Sequence, residues 1–349
     1  MLTKFRTAAL GLACLALPGC YVMQAARGQL QIVNAREPIA NVVEDPDEPG
    51  DLKQRLQVVQ EARAFASREL GLPNNKSYTS YVDLKREYVV WNVVATPEFS
   101  VEPREWCFPI VGCVGYRGYF KEAKAEQFAG KLRKQGLDAI VEGVPAYSTL
   151  GKFDDPILNT MMGYGDDELA TIMFHELSHQ VIYIPDDSSF NEAFAVAVER
   201  EGLARWLAAH GRSADLARHR QRRERQADSI HIIARHRDRL AELYASGIAP
   251  DLMRQRKAQE FAALVADLEA LDARYGVKSR LAAELATAPP NNARLASLAT
   301  YYDCVPGFER VLESVQHDLP RFYIEVRALA RLPREQRHAQ LCVSNPAPG

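Results

Sequence analysis

The sequence predicts an α+β fold that is mainly helical, with a small mixed sheet and a long helical hairpin in its C-terminal part. Three observations lead to this class. Apolar residues at spacings of three and four mark helices on both sides of the middle of the chain. Runs of β-branched and aromatic residues, interrupted by prolines, lie between these helices. The charged stretch 213–273 contains no proline before Pro250, which is typical of two long antiparallel helices.

The first residues of the chain have the layout of a secretory signal peptide. Two basic residues precede an uncharged, apolar run at 8–17, and this run leads into the sequence LPGC at 17–20. Such a run is too short to span a bilayer comfortably. Small residues before a cysteine are typical of a bacterial lipobox, so we expect residues 1–19 to be a signal peptide and Cys20 to be lipidated. The alternative is an ordinary cleaved signal or a short anchor.

A lipidated Cys20 predicts a protein of the cell envelope that faces the periplasm and contacts the membrane through its lipid anchor. The residue after the cysteine is Tyr21 and not aspartate, a pattern that resembles lipoproteins sent on to the outer membrane. The formal net charge of −2 and the isoelectric point near 6.5 give no electrostatic reason to expect nucleic acid as a partner.

Four cysteines lie beyond the leader: Cys107, Cys113, Cys304 and Cys342. An exported protein can form disulfides, and four cysteines allow three pairings. We favour the local pairs Cys107–Cys113 and Cys304–Cys342. A zinc site on these thiols is less expected, because no C-x-x-C spacing occurs.

Residues 20–165 are predicted to form an N-terminal lobe of helices and strands. Helices are expected at 23–43, with a break near Pro38, at 51–70 and at 121–135. Strands are expected at 78–82, 88–95, 100–101 and 138–150, the last with an edge strand near 147–150. The aromatic, glycine-rich run 106–120 favours a shaped loop over a regular strand.

Residues 166–212 carry the pattern with the clearest chemistry, HELSH at 175–179. On a helix that starts with Asp166 or Asp167 as its cap, the side chains of His175 and His179 lie one above the other. Two imidazoles so placed can bind one tetrahedral Zn²⁺, and Glu176 then lies where a general base can reach a water molecule.

A catalytic zinc site needs a third protein ligand, and Glu192 is the candidate. A short loop at 185–189 is predicted to cap a second helix at 190–209, which places Glu192 in its first turn, near His179. A glutamate at this position is otherwise only a favourable charge at the start of a helix. Glu199, two turns further on, is a candidate partner for the second ring nitrogen of a ligating histidine, with Glu201 or plain solvent exposure as the alternatives.

Residues 213–349 are predicted to form a helical C-terminal lobe that begins with the hairpin, whose turn lies at 247–250. The basic run 218–225 is interpreted as a solvated helix face, with binding of anionic lipid or polysaccharide as the alternative. Further helices are expected around 301–302 and at 308–318.

HELSHQ followed by FNEAFAVAVE resembles the gluzincin zinc metallopeptidases, in which H-E-x-x-H and the glutamate of a downstream N-E bind zinc. More narrowly, the chain resembles a family of bacterial lipoproteins labelled predicted aminopeptidases, through WCFPIVGCVGYRGYF, AYSTLGKFDDPILNTM and segments over most of its length. The resemblance implies a gluzincin-like core, with His175, His179 and Glu192 as zinc ligands and Glu176 as the base.

One motif of the similar aminopeptidases is missing. Their G-x-M-E-N strand supplies a glutamate that holds the free amine of the substrate, and residues 147–151 occupy its expected place here. Glu142 is a candidate amine anchor, although an exposed strand glutamate is the simpler interpretation. Related enzymes also use a tyrosine or histidine C-terminal to the metal helices as oxyanion donor; Tyr301 is the first candidate, followed by Tyr302, Tyr116 and Tyr119.

Together these patterns predict zinc-dependent hydrolysis of a peptide or protein substrate in the cell envelope, by an aminopeptidase. The alternatives are a zinc-dependent endopeptidase and a non-catalytic envelope scaffold lipoprotein.

Overall fold

The structure is a computed structural model that describes residue 21 and residues 23–108, 112–146, 148–149, 152–299 and 304–342. The expected signal peptide, Cys20, Tyr301 and Tyr302 lie outside the described residues. Within them the chain is mainly helical with a small mixed sheet, as an α+β fold requires. No described helix is both long and apolar enough to cross a membrane.

Eight short strands in the described residues form two three-stranded sheets and one hairpin. The first sheet has the order β1-β2-β8, in which β2 pairs antiparallel with β1 and parallel with β8. The second sheet is antiparallel in the order β6-β3-β7, and β4 pairs with β5 alone. The strands are β1 Glu37–Pro38, β2 Ser80–Val82, β3 Val90–Pro97, β4 Trp106–Phe108, β5 Gly112–Val114, β6 Tyr116–Tyr119, β7 Leu137–Val144 and β8 Ile157–Leu158.

Thirteen α-helices lie in the described part of the chain, and α7 and α8 are the predicted hairpin. The helices are α1 23–34, α2 Ile39–Glu44, α3 Gly50–Glu69, α4 Glu122–Lys134, α5 Asp166–Ser178, α6 Ser188–Ala209, α7 Ser213–Ala245, α8 Pro250–Tyr275, α9 Arg280–Thr287, α10 Asn292–Ala299, α11 Val305–Ser314, α12 Leu319–Ala330 and α13 Arg334–Leu341.

Three apolar clusters organise the packing. The largest unites α2, α3, α5 and α6 with the first sheet and with α11 to α13. The second lies mainly between the hairpin and the helices α9 and α10, and the third lies between α4 and the second sheet. The C-terminal helices therefore pack on the same core as α5 and α6, across the whole length of the sequence. The predicted boundaries at 165 and 212 stay a prediction.

The side chains of β3 in the second sheet alternate between two faces. Trp91, Val93 and Ala95 of β3 point to one face and pack with α4. Successive side chains of a strand point to opposite faces, so Asn92 and Val94 point to the other face. That second face lines the same cleft as α5 and α6.

Several local predictions were wrong. Residues 106–120 were expected to be a loop, but they contain β4, β5 and β6, because their aromatic side chains pack on α4 and β3. Residues 100–101 form no strand. In the expected edge strand at 147–150, Ser148 and Thr149 are not in a strand; β7, one of the two edge strands of the second sheet, ends earlier, at Val144. Tyr147 and Leu150 lie outside the described residues.

Both local disulfide pairs are confirmed. Cys107–Cys113 closes the β4–β5 hairpin, and Cys304–Cys342 joins the start of α11 to the residue after α13. The second bond ties the end of α13 to the start of α11. Phe308 of α11 and Phe322 of α12 pack on Phe190 and Phe194, which holds these helices against α6.

Candidate metal centre

Two helices and the loop between them build the site. Helix α5 begins after Gly165, whose N–H donates to the Glu168 carboxylate at 3.0 Å. The predicted caps Asp166 and Asp167 instead lie in the first turn. His179 follows the last residue of α5 and keeps helical backbone angles, so it still lies on the same face as His175.

The start of α6 is held by side chains that sequence patterns only partly predicted. The Asp187 carboxylate accepts from the Phe190 N–H and caps the helix, as the predicted capping loop requires. The Asn191 amide donates to the Ile184 carbonyl at 2.7 Å and accepts from the Ile184 N–H at 2.8 Å. This clamp folds the loop back on the first turn of α6, and it gives the asparagine of the N-E pair a structural role beside Glu192.

The three predicted metal ligands lie together. The Nε2 atoms of His175 and His179 are 3.2 Å apart, and the Glu192 carboxylate lies 3.2 Å from His175 Nε2 and 3.9 Å from His179 Nε2. One donor atom from each residue falls within 4.8 Å of the others. No other group of three such side chains converges in this way among the residues that the structure describes.

Glu199 supports this cluster from the side. Its carboxylate lies 2.8 Å from His175 Nδ1, and because a carboxylate only accepts hydrogen bonds, Nδ1 is the donor. This leaves His175 Nε2 directed at Glu192 and His179. The alternative partner, Glu201, instead contacts Arg205 and His317. Such a second hydrogen bond fixes the orientation of a metal-binding histidine.

The donor set fits a zinc ion. Bonds of about 2.0–2.1 Å in a tetrahedral arrangement place two ligand atoms about 3.3 Å apart, and the observed separations of 3.2 to 3.9 Å are close to this value. Burial lowers the pKa of His179 to about 4, so its ring is neutral and offers a lone pair. The metal-binding role itself stays a prediction.

Glu176 lines the same cleft as the three candidate ligands. Burial raises the pKa of the Glu176 carboxyl group to about 7; the neighbouring His175 opposes this rise and the Glu192 carboxylate adds to it. A carboxyl group whose pKa lies near neutrality exchanges a proton readily at neutral pH, which is the property of a general acid–base catalyst.

The cleft has a volume of about 1270 Å³, large enough for several residues of a peptide. One wall is the open face of the second sheet, and the others come from α5, α6 and α7. A concave site with convergent polar groups and a perturbed carboxyl pKa is where substrate binding is expected.

Two tyrosines of the cleft lie within electrostatic range of Glu192, one of the three candidate metal ligands. Tyr116 on β6 is 37 % exposed, yet burial around its hydroxyl, followed by the Glu192 carboxylate, raises its pKa. Tyr183, in the loop between α5 and α6, was not predicted; burial and Glu192 also raise its pKa. Tyr119 instead packs in the core with α4.

Glu142 lines the cleft from β7, but it is not the exposed strand residue that the simpler interpretation expected. One carboxylate oxygen accepts from Arg294 Nη1 at 2.6 Å and the other accepts from Ser297 Oγ at 2.6 Å. Both oxygens are thus engaged by α10, which leaves Glu142 poorly suited to hold the amine of a substrate.

Sequence reasoning missed a group of cations in the cleft. Arg200 follows Glu199 on α6, while Arg222 and Arg223 project from α7. The spacing of His219, Arg222 and Gln226 marks one helix face, but the sequence does not show what that face contacts.

The fold and this cluster define an α+β protein with a candidate metal centre in a large cleft. A family model described as "putative aminopeptidase" matches residues 20–341, and the chain belongs to that family. The family description indicates a peptidase. Searches of curated proteins and of solved structures found no match.

Proposed function

We propose that this chain is a zinc-dependent aminopeptidase of the cell envelope, anchored by a lipid on Cys20. The observation that carries the proposal is the convergence of His175, His179 and Glu192 in a cleft that also contains Glu176. The family description supports the peptidase part of the proposal. The envelope location is supported by the sequence of the leader.

His175, His179 and Glu192 would hold the ion, and Glu199 would keep His175 in its ligating orientation. When bound, zinc acidifies a water molecule and polarises the carbonyl of the scissile bond. Glu176 accepts the proton from the attacking water and delivers it to the leaving amine.

Among the described residues, Tyr116 is the best donor for the oxyanion that develops on the carbonyl oxygen. Tyr116 lines the cleft from β6, and its hydroxyl lies within electrostatic range of Glu192, so a carbonyl bound between the two could receive its hydrogen bond. Tyr301 stays a prediction, since it lies outside the described residues.

Endopeptidase action is the second candidate, and one observation favours it. An aminopeptidase needs an acceptor for the free amine of its substrate, and Arg294 and Ser297 occupy both oxygens of Glu142. A digest of a peptide library separates the two modes, because loss of single N-terminal residues and internal cuts give different masses.

The proposal is tested with Glu176→Gln. We expect the variant to bind zinc at the stoichiometry of the wild type, because Glu176 is not a ligand, and to lose peptide hydrolysis by at least about 100-fold. Metal content is measured by elemental analysis and hydrolysis by mass spectrometry. Wild-type protein that holds no stoichiometric zinc after reconstitution, or a variant with unchanged activity, would contradict the proposal. A zinc-loaded wild type without turnover would favour the scaffold alternative.

A further inference from the structure

The basic run of α7 contributes one of its faces to the cleft. Leu216, His219, Arg222, Arg223 and Gln226 recur at spacings of three and four and all line the cleft, as residues on one side of a helix do. Arg218 and Arg220, on the other side, are exposed. Three of the five arginines of the run, Arg218, Arg220 and Arg222, are exposed, as a solvated face predicts, whereas Arg223 and Arg225 are half-buried.

Arg223 is an unusual guanidinium. It is half-buried, and burial followed by the positive charge of Arg200 lowers its pKa; Glu309 acts in the opposite direction. Arg223 makes no hydrogen bond or close ion pair with any residue in the described parts of the chain. Five N–H donors in a fixed planar fork thus face the cleft beside other cations, an arrangement that an anionic ligand would stabilise.

Apart from Glu176, the proposed base, the acidic side chains of the cleft have hydrogen-bonding partners. Glu142 is bound by Arg294 and Ser297, and Asp167 is bound by Arg212 through both of its oxygens. Glu192 and Glu199 belong to the metal cluster. Arg222 and Arg223 therefore remain available to an anionic ligand, because the described part of the chain offers neither of them a close acidic partner.

The position of Arg223 relates it to the reaction centre. The Glu199 carboxylate, which is bonded to His175, lies within electrostatic range of the Arg223 guanidinium. An extended peptide advances about 3.3–3.6 Å per residue. A group held by Arg223 would therefore lie only a few residues from a scissile bond at the metal cluster.

We propose that Arg223, with Arg222 beside it, is a carboxylate-binding subsite that selects peptides carrying a negative charge close to the scissile bond. This inference rests on the proposed peptidase function. A guanidinium matches the two oxygens of a carboxylate with two parallel hydrogen bonds. The carboxylate has two sources, the C-terminus of a short peptide or the side chain of an acidic residue.

Two matched pairs of peptides distinguish these sources. Trialanine and trialanine amide differ only in the C-terminal charge, whereas Ala-Glu-Ala-amide and Ala-Gln-Ala-amide differ only in the side chain. Binding to zinc-loaded Glu176→Gln protein is measured by calorimetry, and kcat/KM is measured on the wild-type background. Each measurement is repeated with Arg223→Gln, with Arg223→Lys, and with Arg220→Gln as a control that removes the same charge from the exposed side of α7.

We expect the charged member of one pair to bind about 10- to 100-fold more tightly than its neutral partner. Arg223→Gln should abolish this preference, Arg223→Lys should restore part of it, and Arg220→Gln should keep it. A preference in the first pair identifies the C-terminal carboxylate, and one in the second pair identifies an acidic side chain.

Equal binding within both pairs, or a preference that survives Arg223→Gln, would overturn the inference. The proposed peptidase function can be refuted independently of this subsite. Charge-selective binding without any hydrolysis would leave the subsite in place and refute the peptidase, whereas hydrolysis without charge selection would do the reverse.

Discussion

Replacing Glu199 by glutamine tests how the candidate metal centre is built. The Glu199 carboxylate accepts a hydrogen bond of 2.8 Å from His175 Nδ1, and the two side chains are only 21 % and 18 % exposed. A hydrogen bond to a charged group in such surroundings contributes about 1.5–3 kcal/mol. Since about 1.4 kcal/mol is a factor of ten, we expect Glu199→Gln to weaken zinc binding about 10- to 100-fold, the range found for outer partners of metal-binding histidines.

Competition with a chromogenic chelator measures the zinc affinity of the variant. Glu201→Gln is the matched control, because it makes the same change two residues further along α6, where the carboxylate contacts Arg205 and His317. The reasoning would be refuted by a Glu199→Gln protein whose zinc affinity lies within twofold of the wild type. An equal loss in both variants would point to a general effect on α6 instead.

Three further predictions concern the cleft and its supports. Tyr116→Phe should lower kcat by about 100-fold at unchanged zinc content; steady-state kinetics with wild-type values would exclude Tyr116 as the oxyanion donor. Arg337→Met should destabilise the protein by about 3–5 kcal/mol in denaturant unfolding, because it removes the guanidinium that is paired with the buried Asp187 carboxylate and leaves His338 as the remaining side-chain partner. Arg334→Met, on the exposed side of the same helix, should cost less than about 0.5 kcal/mol, and equal effects would contradict the argument. Gly202→Ala should cost about 1–3 kcal/mol, since its methyl group would lie 2.7 Å from Phe174 and 2.8 Å from Leu70. Gly130→Ala, whose methyl group meets nothing within 4 Å, should instead stabilise α4 by about 0.5–1 kcal/mol. A change in the free energy of unfolding with the same sign in both variants would contradict this reasoning.

Local patterns predicted most of the helices. The helix predicted at 51–70 is α3, and the helix predicted at 121–135 is α4. The hairpin was predicted with its turn at 247–250, and the structure confirms it: Gly247 adopts a left-handed backbone angle and Pro250 begins the next helix. In each case the signal lies within a few residues, so no distant contact was needed to read it.

The strands were predicted less well, because strand pairing depends on residues far apart in the chain. The run 106–120 was expected to be a loop, although its last part, β6, pairs with β3. Neighbouring glycines and aromatic residues give no clear period of two. Pairing and contact with α4 provide the stability that the local sequence does not show.

Sequence and tertiary structure contributed different parts of the candidate site. Spacing alone put His175 and His179 on one helix face and named Glu192 and Glu199, because an α-helix repeats every 3.6 residues. Only the tertiary structure decided that the Glu199 and not the Glu201 carboxylate contacts His175, that Arg294 binds the Glu142 carboxylate, and that Arg223 lines the cleft. These contacts join residues more than twenty positions apart, and their geometry depends on how helices pack, which a helical period does not specify.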